Sequence, residues 1–440
     1  MSALRGKREA GGFKKLPFGM FSALATRLIS AAAPLILVPI SVNYLGASLY
    51  GVWMSAGGMA AVLLVFDLGV SSTFLTLLPP SISMKDWLAV KRIISAGYFL
   101  VCAVSFVAAC VVALLASTGL LSRMAGAPAV VDGVETDALI AIVLISFLAT
   151  LPLQLINRVL YAEGETASSN VLQAMAAALA IPLAFLVVRL DGSPLLLVAC
   201  VAFAGAAFLG IASVVHFTRS SKELRPSIRM IERRSLYQVL TMGSRYLSLT
   251  LLTALATNLD VVVISHFSSP AEAAAFAVPQ RLFAQVTALV SVVVLPLWPA
   301  ISAAVQRNEM EWVWKSVRQL SLGGMVGVLG IGMAAATLFF GAIQKWIGTG
   351  VQLDRSLLIG LALWCAVQAF YTPYLMLLNA MKRLRVQVYC LLSFITVGYP
   401  VKILAVWFAS DWLIPYVNSV VYAVTFSAVA IVVARIQSES

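Results

Sequence analysis

The sequence predicts an all-α polytopic membrane protein of about twelve transmembrane helices, in two six-helix lobes related by a parallel internal repeat. Three observations predict it. Of 440 residues, 61% are hydrophobic and only 11% charged, whereas a soluble domain is nearer half apolar and a quarter charged. The apolar residues fall in long segments that exceed the roughly 20 residues a helix needs to cross a bilayer. The second half of the chain echoes the first at an offset close to half its length. Helices satisfy their own backbone in lipid, and the alternating segments of about 10 residues expected of a barrel are missing.

The segments run at about 18–42, 50–78, 93–118, 138–161, 169–189, 195–217, 237–265, 273–301, 319–342, 356–381, 386–409 and 412–435. Residues 1–17 form a basic tail with Arg5, Lys7, Arg8, Lys14 and Lys15. The apolar run after it is too long for a signal peptide and has no small-x-small cleavage site, so it reads as an uncleaved first helix. Residues 18–217 form an N-lobe, 218–236 a basic linker and 237–440 a C-lobe. The linker, around R-S-S-K-E-L-R-P-S-I-R-M-I-E-R-R from Arg219 to Arg234, suits anionic lipid headgroups at about 1 kcal/mol per cation.

Charge sets the orientation. Twelve spans leave both termini on one side. The tails and loops of that side carry 21 Lys and Arg, against four on the other (Arg123, Arg189, Lys345 and Arg355). Both termini are therefore expected in the cytoplasm of a multi-pass protein of the bacterial inner membrane. The net charge of +12 belongs to this topology and not to nucleic-acid binding. The longest external loop, about 119–137, leaves no room for a catalytic domain, and no acidic catalytic pair or phosphate-cradling glycine loop accompanies it. The chain is read as a non-enzyme. All five cysteines lie inside apolar segments, so neither a disulfide nor a metal site is implied.

The repeat keeps one order and nearly one offset. Ala25-Thr26-Arg27-Leu28 is echoed by Gly243-Ser244-Arg245-Tyr246, and Leu77 to Ser83 by Leu297 to Ser302. Arg123-Met124-Ala125-Gly126 is echoed by Lys345-Trp346-Ile347-Gly348, Thr150-Leu151-Pro152 by Tyr371-Thr372-Pro373, and Pro182 by Pro400. Six spans per half give the halves one orientation, related by an axis along the membrane normal, with a binding site near the midplane between lobes.

Charge within a span costs about 2.5–3.5 kcal/mol on insertion scales, so it faces a cavity or a partner. Arg27 and Arg245 occupy matching places in the opening helix of each lobe. Two such guanidinium forks suit a pyrophosphate, against snorkelling to the headgroups. Arg281, one turn before Gln285, and Lys402 would extend a cationic lumen. Arg158 shares a face with Gln154 near the end of its span. Asp67 is either an ion-coupling carboxylate or the structural partner of a lumenal arginine. Asp260 continues a stripe of Thr250, Thr253 and Thr257 whose hydroxyls lead to a carboxylate. That stripe reads as a sodium site of hard oxygens or as helix–helix hydrogen bonding by small polar residues.

The first two spans read L-V-P-I-S-V-N-Y-L-G-A-S-L-Y-G-V-W and then L-L-V-F-D-L-G-V-S-S-T-F. This pattern resembles the Wzx-type polysaccharide and O-antigen flippases of the MOP superfamily, which also holds the MATE exporters and the lipid II flippase. Asn258-Leu259-Asp260, V-V-V-I-S-H-F and A-A-A-F-A-V in the second half resemble it in outline. There Phe276 is present and the Tyr-Gly pair is not. The resemblance implies a MOP/MATE-like fold and ion-coupled alternating access. It implies transfer of an undecaprenyl-pyrophosphate-linked glycan repeat unit from the cytoplasmic to the outer leaflet, for O-antigen or exopolysaccharide biosynthesis. No cofactor is expected beyond Na+ or H+ as coupling ion. The expected partners are membrane lipids, the lipid-linked glycan, and a polysaccharide polymerase and glycosyltransferases working beside a monomer. A MATE-type multidrug antiporter would want acids in its cavity, where the intramembrane charge here is mostly basic. A major-facilitator transporter would carry a charged turn between spans two and three, where this chain has P-P-S-I-S-M-K-D-W.

Overall fold

The computed structural model describes residues 3–219, 224–307, 309–348, 351–381, 384–408 and 411–439; over 3–25, 288–300 and 430–439, and at some single positions, it describes the backbone alone. The chain is helical almost throughout. In order it forms α1 (Ala3–Val62), α2 (Val70–Ser83), α3 (Trp87–Ser117), α4 (Leu120–Ala125), β1 (Val130–Val131), β2 (Val134–Glu135), α5 (Thr136–Ala162), α6 (Thr166–Ala178), α7 (Ala180–Arg189) and α8 (Pro194–Arg219). The second half follows with α9 (Arg233–Asn258), α10 (Asp260–Phe267), α11 (Pro270–Gln306), α12 (Met310–Thr337), α13 (Phe340–Ile347), α14 (Arg355–Ala380), α15 (Leu384–Phe408) and α16 (Ile414–Glu439). Among the described residues nine helical segments are long and apolar enough to cross a membrane, and a tenth if the two parts of α9, bent by 45°, count as one span.

Breaks in the helices fall where local chemistry asks for them. The first two apolar segments share α1, which is interrupted at Gly46 with φ +76°. That region favours glycine, since it has no Cβ to clash. The second segment breaks at Asp67-Leu68-Gly69, where a 3₁₀ turn over Leu63–Asp67 precedes α2. Asp67 accepts hydrogen bonds from Ser71, at 3.3 Å from the backbone N–H and 2.8 Å from the hydroxyl, and so caps the start of α2. In the external loop read from sequence, Asp132-Gly133 turns β1 back on β2, both with positive φ, as a two-residue hairpin requires.

The paired sequence landmarks have matching structures. Gly126 and Gly348 end the short helices α4 and α13 with φ of +67° and +90°. Pro152 and Pro373 both lie inside helices, α5 and α14. The unmatched Tyr-Gly pair also has a local explanation. A Cβ on Gly51 would stand 1.6 Å from the Pro270 carbonyl oxygen, so only glycine lets α1 meet the start of α11. Tyr50 beside it is buried and sits edge to face with Trp53 at 6.0 Å.

By contact the chain gathers into two units. Unit 1 is Met1–Ile40, Leu63–Leu121 and Asp137–Leu247; unit 2 is Ser41–Val62, Ser122–Thr136 and Ser248–Ser440. These units and the sequence lobes divide the chain differently, because part of α1 and the β-hairpin loop join unit 2. In unit 1, α2 packs on α3, and α6 and α7 on α8. Ser95 accepts a hydrogen bond from the Ser227 N–H of the basic linker, and Arg92 pairs with Glu232 at 2.8 Å. In unit 2, α14 is central and packs on α11, α12 and α16. Its core is aromatic: Trp364, Tyr371, Phe394, Tyr422 and Phe426 are all buried in one cluster.

Candidate functional site

Unit 2 holds a polar cavity of about 450 Å³. Its wall comes from α1 (Met54, Gly57, Gly58), the end of α9 (Thr257, Asn258), α11 (Gln280, Arg281, Ala284, Thr287) and α14 (Leu361, Trp364, Gln368). The α11 residues follow the 3–4 spacing of one helical face. Arg281 is exposed there and, among the described residues, is the one charged residue of the lining. Amides and hydroxyls surround it, and among the described residues no carboxylate reaches the wall. Trp364 forms part of the wall and stacks on Phe394 at 5.9 Å with an interplanar angle of 6°, so the aromatic core backs the cavity.

Unit 1 holds a second polar cavity, of about 370 Å³, with similar chemistry. Arg158 is its charged lining residue, among Thr150, Gln154, Asn157 and Gln173. Beneath it Ser169 donates to Asn157 Oδ1 at 3.2 Å, and Gln173 donates to the Ser169 hydroxyl at 3.2 Å. Tyr161 donates to Asn170 Oδ1 at 2.9 Å, and Thr26 to the Asn170 carbonyl at 2.8 Å. At the turn after α5, burial and the neighbouring Glu165 push the Glu163 carboxyl up to about 7. Glu163 lies 3.5 Å from His216 Nε2.

The residues singled out from sequence separate into four groups. Arg281 and Arg158 line cavities. The side chains of Arg27 and Arg245 lie outside the described residues. Lys402, expected in a cationic lumen, is instead wholly enclosed: its ammonium lies 2.7 Å from Asp260 Oδ1, with side-chain exposures of 0% and 2%. Asp260 begins α10, Lys402 comes from α15, and Asn418 of α16 donates to the other carboxylate oxygen at 2.6 Å. Both oxygens of Asp260 are thus engaged by Lys402 and Asn418. Thr253 and Thr257 donate to carbonyls one turn back in their own helix, at 2.8 Å each. Asp67 is a helix cap, with Arg158 close enough to act on its charge. Gln285 is not in the lining, whereas Gln280 and Gln368 are. Sequence reasoning passed over these two amides and Asn418, although a carboxamide inside an apolar span is itself a signal.

Comparison with known proteins places the fold. No protein-family profile matches the chain, and no curated protein is significantly similar to it. Solved structures do match over nearly the whole length. An inward-facing multidrug resistance MATE family transporter of the MOP superfamily is 14% identical with a TM-score of 0.75, covering 96% of this chain and 99% of that one. The lipid II flippase MurJ in an inward closed conformation is 12% identical with a TM-score of 0.69, covering 94% and 87%. A MOP superfamily transporter from Pyrococcus furiosus, described as having a binding pocket of reverse polarity, is 14% identical with a TM-score of 0.55, covering 97% and 96%. The chain thus has the all-α polytopic fold of the MOP/MATE transporters.

Proposed function

We propose that this protein is a lipid-linked oligosaccharide flippase. It moves undecaprenyl-pyrophosphate-linked glycan repeat units from the cytoplasmic to the outer leaflet of the bacterial inner membrane, for cell-surface polysaccharide biosynthesis. It does so by ion-coupled alternating access of two six-span lobes, with both termini cytoplasmic, as a monomer serving glycosyltransferases and a polymerase. The observation that carries this reading is the lining of the unit 2 cavity: among the described residues, one guanidinium, three carboxamides, two hydroxyls, a tryptophan and no carboxylate. Such a wall suits an anionic, hydroxyl-rich headgroup, with Arg281 on a phosphate oxygen, amides on sugar hydroxyls and Trp364 against a sugar face. A cationic drug would meet the wrong charge. The matching composition of the unit 1 cavity, with Arg158 in the same role, supports the reading, as does the resemblance of the first two spans to polysaccharide flippases.

The test is to delete the gene and ask which leaflet holds the undecaprenyl-linked intermediates, using an impermeant sugar-modifying enzyme. A finished repeat unit accumulating on the cytoplasmic side is expected. Complementation with Arg281→Ala should restore export about 10- to 100-fold less well than wild type, since a charge-assisted hydrogen bond contributes about 1.5–3 kcal/mol. An unchanged lipid pool with altered sensitivity to cationic drugs would replace the flippase by an exporter.

A further inference from the structure

The Asp260–Lys402 pair lies outside both cavities and is not needed to explain cargo binding. Asp260 is 1% exposed, Lys402 0% and Asn418 1%. Each carboxylate oxygen has one protein donor, Lys402 Nζ at 2.7 Å and Asn418 Nδ2 at 2.6 Å. The ammonium also lies over two ring faces, 4.5 Å from the Tyr399 centroid and 5.0 Å from that of Phe394. Tyr399 is anchored by donating its hydroxyl to the Leu255 carbonyl. Asn418 Oδ1 is buried with no hydrogen-bond partner.

We propose that Lys402 is a tethered cation filling a built-in monovalent cation site formed by Asp260, Asn418, Phe394 and Tyr399, so that the wild-type protein takes no alkali ion there. The parts present favour a single small monovalent cation. There is one carboxylate, whose second oxygen is held by the Asn418 amide, and two aromatic faces that attract positive charge. The site carries one negative charge and so balances one positive charge, and a divalent ion would leave an excess. An ammonium on a four-carbon stem meets this requirement permanently, without the release step a free ion allows. Removing the stem opens a void that reaches the carboxylate. Phe394 touches both Lys402 and Trp364 of the cavity wall, and Asn258 of that wall lies two residues before Asp260. A solvent ion would therefore have one layer of side chains to pass.

The proposal concerns the source of the positive charge and stands whatever cargo the protein carries. Its test is thermal, on the purified full-length protein in nanodiscs, in NaCl, KCl, n-propylammonium chloride or N-methylglucammonium chloride at equal ionic strength. Wild type should have the same Tm in all four. Lys402→Ala should show a saturable rise in Tm of a few degrees with Na+, K+ or n-propylammonium over N-methylglucammonium, as a ligand bound only by the folded state produces. The Asp260→Asn/Lys402→Ala double variant should respond to none. Lys402→Gln, neutral and shorter by one atom, is the second variant and should also gain a response to the alkali ions. A Na+-specific rise in wild type that Asp260→Asn abolishes would overturn the proposal. So would a folded Lys402→Ala or Lys402→Gln protein indifferent to every small cation.

Discussion

Breaking the Asp260–Lys402 pair from one side should be far worse than removing it from both. At 2.7 Å two unit charges attract by about 6 kcal/mol at an effective dielectric of ~20, against a desolvation penalty of several kcal/mol per ion. The net worth of the intact pair is therefore small. Its partners, however, cannot return to water, because the two side chains are 0% and 2% exposed. Lys402→Met leaves a buried carboxylate held only by Asn418, and Asp260→Asn leaves a buried ammonium with a neutral amide oxygen and ring faces but no counter-charge. Each should cost about 3–5 kcal/mol. Asp260→Asn/Lys402→Met removes both charges and should lie within about 2 kcal/mol of wild type. The assay is a double-mutant cycle on unfolding free energy, by denaturant titration of the four proteins in mixed micelles. Coupling of several kcal/mol is expected. Singles that add to give the double within about 0.5 kcal/mol would refute the reasoning, as would a Lys402→Met protein as stable as wild type.

Other consequences are as direct. Gly51→Val forces a Cβ to 1.6 Å from the Pro270 carbonyl and should abolish the folded fraction in size-exclusion chromatography, whereas Gly57→Ala, whose Cβ meets nothing within 4 Å, should leave it intact. Asp67→Ala removes the cap on Ser71 and should lower stability by about 1 kcal/mol. Asp67→Asn keeps an acceptor and should retain transport in liposomes; its loss would make Asp67 a coupling carboxylate after all. The folded protein holds a proton on Glu163 from its ordinary value of 4.5 up to about 7, a window in which the unfolded chain releases it. Glu163 should therefore make stability fall as pH rises through that window, level above and below it. Glu163→Gln should flatten this part of a Tm–pH profile, and an identical slope in both proteins would rule out the buried carboxyl as its source.

The sequence by itself determined that this is a helical membrane protein, and it placed most of the breaks. The reason is local. In lipid each backbone group must be satisfied within its own segment, so apolar length, Gly46, Asp67-Leu68-Gly69 and the prolines act where they stand in the chain. The repeat was legible for the same reason, since Gly126 and Gly348 each end a short helix by a conformation their own residue type decides. Arg281 and Arg158 were found because a lone cation in an apolar span stands out. What only the tertiary structure decided is which polar side chains meet. Lys402 and Asn418 reach Asp260 across 142 and 158 residues of sequence, and nothing in the spacing of any one helix tells a buried ion pair from a cation facing a cavity. The amides at Gln280 and Gln368 join Arg281 only because α11 and α14 pack face to face. The grouping of residues 41–62 with the second half of the chain likewise depends on Pro270 meeting Gly51, a contact between backbones that hydrophobic pattern does not record.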